Sequence, residues 1–135
     1  MYIEEMNQPT PRHPFKSKSF LHSLGYALNG LKTVLLSERN FRTHTVLTVL
    51  VVLTGLYLRV SPTEWALLIL CITIMLTVEA LNTAIEYLVD LWAGGVYSEQ
   101  AKAIKDIAAG ACLVSATGTA ITGILIFTHY FFTHP

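Results

Sequence analysis

Val78-Glu79-Ala80-Leu81-Asn82-Thr83-Ala84-Ile85-Glu86-Tyr87-Leu88-Val89-Asp90 is a polar stripe inside an apolar helix. At about 100° per residue, Glu79, Asn82, Glu86 and Asp90 fall within about 80° of one another on a helical wheel. Upstream, Trp65 to Val78 is an apolar run with no charge after Glu64. Carboxylates are costly in that setting and mark functional sites by default. Three of them sharing one face with an amide point to catalysis or ion handling inside a membrane.

The surroundings of the stripe agree with a membrane location. Of the 135 residues, 53% are hydrophobic and only 13% charged, too few charges for an ordinary soluble domain. Mean hydropathy is +0.51, and the apolar residues are grouped into long runs. The length suits one domain. Formal net charge is zero, so charge selects no partner, and no nucleic-acid partner is expected. Cys71 and Cys112 sit within apolar runs and read as small core residues rather than a disulfide or metal pair. The five histidines lack metal-ligand spacing and read as interfacial or tail residues. Residues 1–18 are polar, carry Pro9, Pro11 and Pro14, and contain no apolar signal-peptide core. They read as a flexible N-terminal tail that is retained.

Working outward from the stripe gives an all-α membrane fold. A helix is expected over 19–36, with Phe20, Leu24, Ala27, Leu28, Leu31 and Leu35 on one face. Such an amphipathic helix can lie at the membrane interface. The charged junction Ser37-Glu38-Arg39-Asn40-Phe41-Arg42 follows. Three spans are expected over about 43–60, 63–92 and 99–132, making residues 19–132 a single integral-membrane domain. Pro62 is placed to start the second span. Gly94-Gly95-Val96-Tyr97-Ser98 forms the loop to the third. The third span is rich in small residues, including Gly110, Ser115, Gly118 and Gly123, which allow membrane helices to approach closely.

Basic residues set the orientation. Of the nine Lys and Arg residues, only Arg59 lies between the first and second spans. The bias places the N-terminus and the 93–102 loop in the cytoplasm and the C-terminus outside. Trp65 and Trp92 bracket the second span as interfacial anchors. As a helix, that span is about 42 Å long, against a hydrocarbon core of about 30 Å. Glu79 falls about 21 Å from Trp65, still at membrane depth, and Glu86 about 10 Å further on. The stripe thus runs from within the bilayer to its cytoplasmic surface. A lipid headgroup can meet Glu79, and a soluble charged molecule can meet Glu86 and Asp90. Glu38 and Glu86 could share a divalent cation, since Mg²⁺ takes one or two carboxylates plus phosphate oxygens and water. Lys105 would then counter phosphate charge. Blander readings stand beside these: Glu79 as a protonated, hydrogen-bonded packing residue, Glu38 as a helix-end surface charge, Asn82 as a bridge between helices, Lys105-Asp106 as an ion pair. No GxxxxGK[ST], GxGxxG, HRD or DFG motif is present.

Glu79-Ala80-Leu81-Asn82-Thr83-Ala84-Ile85-Glu86 with Asp90, followed by Ala103-Ile104-Lys105-Asp106-Ile107-Ala108-Ala109-Gly110-Ala111, resembles the small prokaryotic diacylglycerol kinase family, which includes the undecaprenol kinases. Gly25-Tyr26-Ala27-Leu28-Asn29-Gly30-Leu31-Lys32 and Glu38-Arg39-Asn40-Phe41-Arg42 match as well, so the resemblance covers about Ser19 to Phe132. It implies a homotrimer with active sites shared between subunits, in a bacterial cytoplasmic membrane. It implies transfer of the γ-phosphate of ATP, with Mg²⁺, to a lipid alcohol. Carried across residue by residue, Glu79 resembles the general base, and Glu38 and Glu86 the metal ligands. Asn82, Asp90, Lys105, Asp106 and Tyr26 resemble active-site or nucleotide-contacting positions.

Two departures bear on the acceptor. An arginine of the best-known diacylglycerol kinases corresponds here to Ser19, beside Lys18. The third span opens IKDIAAGA rather than KDMGSA, closer to the undecaprenol kinase branch. Undecaprenol is therefore the expected acceptor, and diacylglycerol the alternative. A non-enzymatic, cation-conducting oligomer would also use a carboxylate stripe, but it does not account for Lys105-Asp106.

Overall fold

The structure is a computed structural model and describes residues 19–133. The expected tail over 1–18 lies outside the described residues. The described residues form helices α1 (Phe20–Ser37), α2 (Arg39–Leu58), α3 (Pro62–Ala93) and α4 (Glu99–Thr133), joined by short turns. By its internal contacts the chain divides into two compact units, with the boundary between Leu31 and Lys32 inside α1. The described part of the first unit is the opening stretch of α1. The second unit holds the remainder of α1 and the three long helices.

The boundaries of α2 and α3 have local causes. Glu38 takes an extended conformation, φ −100° and ψ 120°, and is the N-cap of α2 without a side-chain capping bond. The guanidinium of Arg42 donates to the Leu36 carbonyl at 2.8 Å. The helix therefore absorbs the charged junction and begins at Arg39, upstream of the expected apolar start. It ends at Leu58 because Arg59 turns left-handed, at φ 54°. There the Arg59 and Val60 amides satisfy the Leu56 and Gly55 carbonyls. Ser61 then caps α3 in a capping box with Glu64, and Pro62 occupies the first turn. Gly94, at φ 57°, closes α3 with its amide on the Asp90 carbonyl.

α3 packs most extensively on α4, while α2 lies mainly against α3 and touches α4 less. Near the α2–α3 turn, Val60, Leu68 and Ile126 form a buried cluster that Val51, Trp65 and Phe127 cover. Tyr130 of α4 donates its hydroxyl to Glu64 at 2.7 Å and accepts the Ser61 amide at 3.0 Å. The start of α3 is thereby tied to the end of α4. Trp65, expected as an interfacial anchor, lies with its indole edge against Gly55.

All three long helices are long and apolar enough to cross a membrane. Only 22% of the apolar window of α3, and 11% of those of α2 and α4, is buried within the chain. Most of the apolar surface therefore faces outward, as in a protein solvated by lipid or by neighbouring spans.

Gly55 is required by the close approach of Trp65. A Cβ there would lie 3.0 Å from two indole carbons. Gly55→Val is expected to lower stability by about 1–3 kcal/mol through overpacking. Thermal unfolding in detergent checks this, and Trp65→Phe in the same chain should recover part of the loss.

Candidate functional site

α3 carries the polar stripe, and its packing decides what each member meets. Glu79 is 4% exposed, on the face covered by α2 and α4. Its Oε1 lies 3.5 Å from His44 Nε2 of α2, and Cys112 of α4 also faces it. Cys112 Sγ points to the Val78 carbonyl at 3.8 Å. Cys71 and Cys112 are both free. One turn on, Thr83 is buried and returns its hydroxyl to the Glu79 carbonyl at 3.1 Å, so it leaves the carboxylate alone.

Asn82 donates Nδ2 to Glu86 Oε1 at 2.8 Å. This i, i+4 pair orients the Glu86 carboxylate along the stripe. Asn82 Oδ1 is buried and has no hydrogen-bond partner among the described residues. A buried acceptor without a donor is rare in folded proteins and calls for a ligand, ion or water. Carboxylate and amide oxygens together suit a hard cation such as Mg²⁺. Glu38, the other expected metal ligand, is half-buried at the N-cap of α2 and spends no oxygen on the cap. No group of three or more metal-binding side chains is assembled among the described residues.

At its end the stripe becomes wet. Asp90, with its side chain 63% exposed, pairs with Lys105 Nζ of α4 at 2.5 Å. Asp106 pairs instead with Lys102, one turn earlier on α4, also at 2.5 Å. Lys105 and Asp106, adjacent in sequence, thus point to different partners. These four residues, with Tyr97 and Ser98, line an open cleft of about 440 Å³ between the end of α3 and the start of α4. Tyr97 donates its hydroxyl to Glu99 at 2.8 Å. That bond pushes the phenol's pKa above the ordinary tyrosine range, with burial and the charge of Asp106 adding to it. Tyr97 therefore stays a protonated donor at neutral pH.

The structure thus joins Asn82 to Glu86 and Asp90 to Lys105, and sets Glu79 apart in the buried middle of α3. Glu38 and Glu86 belong to no group of three or more metal-binding side chains among the described residues. Tyr26 belongs to the first unit. Sequence reading missed His44, because the contact spans two helices and the residue carries no spacing signal. It also missed Tyr97 and Lys102, which sit in and beside a loop read only as a connection.

Three membrane-length helices, a buried carboxylate and a charged cleft at one end of the same helix define a small multi-pass membrane protein with an enzyme-like site. The model of the prokaryotic diacylglycerol kinase family matches residues 25–127. The undecaprenol kinase of Bacillus subtilis is 41% identical over 110 residues, covering 82% of this chain and 85% of that protein. The diacylglycerol kinase of a Synechocystis species is 35% identical over 123 residues, covering 87% of this chain and 70% of its own length. That of Escherichia coli strain K12 is 32% identical over 111 residues, with 82% and 90% covered. The chain belongs to the prokaryotic diacylglycerol kinase family. It is an enzyme, a phosphotransferase with an alcohol group as acceptor.

The Asp90–Lys105 pair is largely solvated, and such pairs contribute little to stability. Lys105→Met is expected to change unfolding stability by no more than about 1 kcal/mol. Phosphoryl transfer should nevertheless fall severely. Parallel thermal unfolding and turnover measurements separate the two effects.

Proposed function

We propose that the protein transfers the γ-phosphate of ATP to the hydroxyl of a membrane lipid, undecaprenol, giving undecaprenyl phosphate. The observation carrying this reading is the gradient along α3. Its buried middle presents Glu79 beside His44 and Cys112, and its exposed end opens on a cleft with Lys105 and Lys102. A lipid alcohol suits the first environment and a polyphosphate the second. The acceptor is taken from the 41% identity to an undecaprenol kinase and from the IKDIAAGA opening of α4.

In this reading the basic residues orient the N-terminus and the cleft towards the cytoplasm. α1 lies at the membrane interface, where Tyr26 contacts the nucleotide. Three copies assemble, and their sites are shared between subunits. ATP enters the cleft, where Lys105 offsets phosphate charge and Asp90 and Asp106 hold the basic side chains in place. Glu38 and Glu86, with Asn82 beside Glu86, would hold Mg²⁺. When bound, the ion neutralises charge on the phosphates.

The lipid arrives laterally, and Glu79 accepts the proton of its hydroxyl. The freed oxygen pair forms the bond to the γ-phosphorus, and the β–γ bridging oxygen leaves with its electrons as ADP. Such transfers depend on positioning and charge neutralisation.

Glu79→Gln keeps the size of the side chain but removes the base. Turnover should fall at least about 100-fold without loss of folded protein. Near-normal phosphate transfer in mixed micelles would refute the role. For Glu86→Gln, the Mg²⁺ titration of activity should move to higher concentration, while detergent stability stays close to wild type. An unchanged titration would remove Glu86 from the metal site. The acceptor is decided by presenting undecaprenol and diacylglycerol side by side. Preference for undecaprenol in kcat/KM is expected, and preference for diacylglycerol would reassign the substrate.

A further inference from the structure

His44 stands outside every motif of the chain, yet it is the basic side chain nearest the buried carboxylate. Its Nε2 lies 3.5 Å from Glu79 Oε1, with the two side chains 23% and 6% exposed. Among the described residues no lysine or arginine forms an ion pair with Glu79; those pairs are Lys102 with Asp106 and Lys105 with Asp90. Glu86 takes its hydrogen bond from Asn82, and Thr83 serves a carbonyl. The imidazole is thus the partner that α2 supplies to a carboxylate that α3 cannot satisfy itself.

The same ring also lines an apolar groove of about 310 Å³ between the long helices, with Leu47, Val51, Ile72, Met75 and Ala120. His44 therefore stands where the groove and the carboxylate meet. An apolar chain lying in the groove would bring its head past this ring to reach Glu79.

We propose that His44 is a positioning residue for phosphoryl transfer. An ionised carboxylate only accepts hydrogen bonds, so the ring must present its Nε2–H to Oε1. That contact fixes the carboxylate rotamer and leaves Oε2 turned to the acceptor hydroxyl. At 3.5 Å the contact is longer than a formed hydrogen bond. Catalytic contacts of this kind tighten when substrate is bound. The proposal rests on the reading of Glu79 as the base, and adds the group that aims it.

The test compares His44→Gln with His44→Met in the full chain, with rates taken per folded enzyme from thermal unfolding. The two replacements have similar length, and only Gln keeps an N–H donor. His44→Met should lower kcat about 100-fold, the scale of a misplaced reacting group, with KM for ATP unchanged. His44→Gln should recover kcat to within about tenfold of wild type, since the donor is retained. Equal kcat in His44→Met and wild type overturns the proposal, and so does equal impairment of both variants. Glu79→Gln is assayed alongside. If it remains active, the base reading fails. If it is inactive while His44→Met is fully active, only the role of His44 fails.

Discussion

Glu79 must keep a carboxylate at 4% exposure within a helix that is apolar from Trp65 to Val78. A polar group removed from water is costly unless hydrogen-bonding partners replace its hydration. α3 cannot supply them from its next turn, because Thr83 is committed to the Glu79 carbonyl. The neighbouring helices therefore have to arrive in a set register, α2 with His44 and α4 with Cys112. A polar tie between the start of α3 and the end of α4 helps to hold that register. Glu64 and Ser61 grip Tyr130 at one end, while the solvated Asp90–Lys105 pair spans the same two helices at the other. Along the axis Glu79 lies about 22 Å from Glu64 and about 17 Å from Asp90. The carboxylate thus lies between these two pairings on the same pair of helices.

This placement converts one helix into a path between two solvents. Glu79 faces an imidazole from α2 and a thiol from α4. Asn82 and Glu86 form a local pair with one amide oxygen left over. Asp90 stands in an open cleft with two lysines. A reaction that joins a lipid hydroxyl to a charged, water-soluble donor needs such a sequence of environments. A stripe used only for ion conduction would not need the cleft, nor the crossed pairing that separates Lys105 from Asp106.

The elements that could be read in advance were those with local causes. The stripe follows from helical period. The turn at Ser61-Pro62 follows from capping chemistry, and the break at Gly94-Gly95 from residues that accept positive φ. The length of α3 follows from a stretch, residues 63–93, without a glycine or proline to break it. Contacts between helices were not legible. Nothing near His44 announces Glu79, and nothing near Gly55 announces the indole of Trp65. Lys105 and Asp106 are neighbours in sequence, but each is directed elsewhere by the helical face it occupies. Asn82 was read equally as a bridge between helices, and its structural partner is Glu86 on its own helix.

The central claim is that the nucleotide occupies the wet end of α3 and the lipid hydroxyl its buried middle, at Glu79. Paramagnetic relaxation from Mn²⁺ bound with a non-hydrolysable ATP analogue tests it directly, on isotope-labelled protein in bilayers. Signals of Glu86, Lys105 and Asp106 should be broadened most, Glu79 less, and the Ser61, Glu64 and Tyr130 end spared. Broadening centred on Ser61, Glu64 and Tyr130, or spread evenly along α3, would contradict the account.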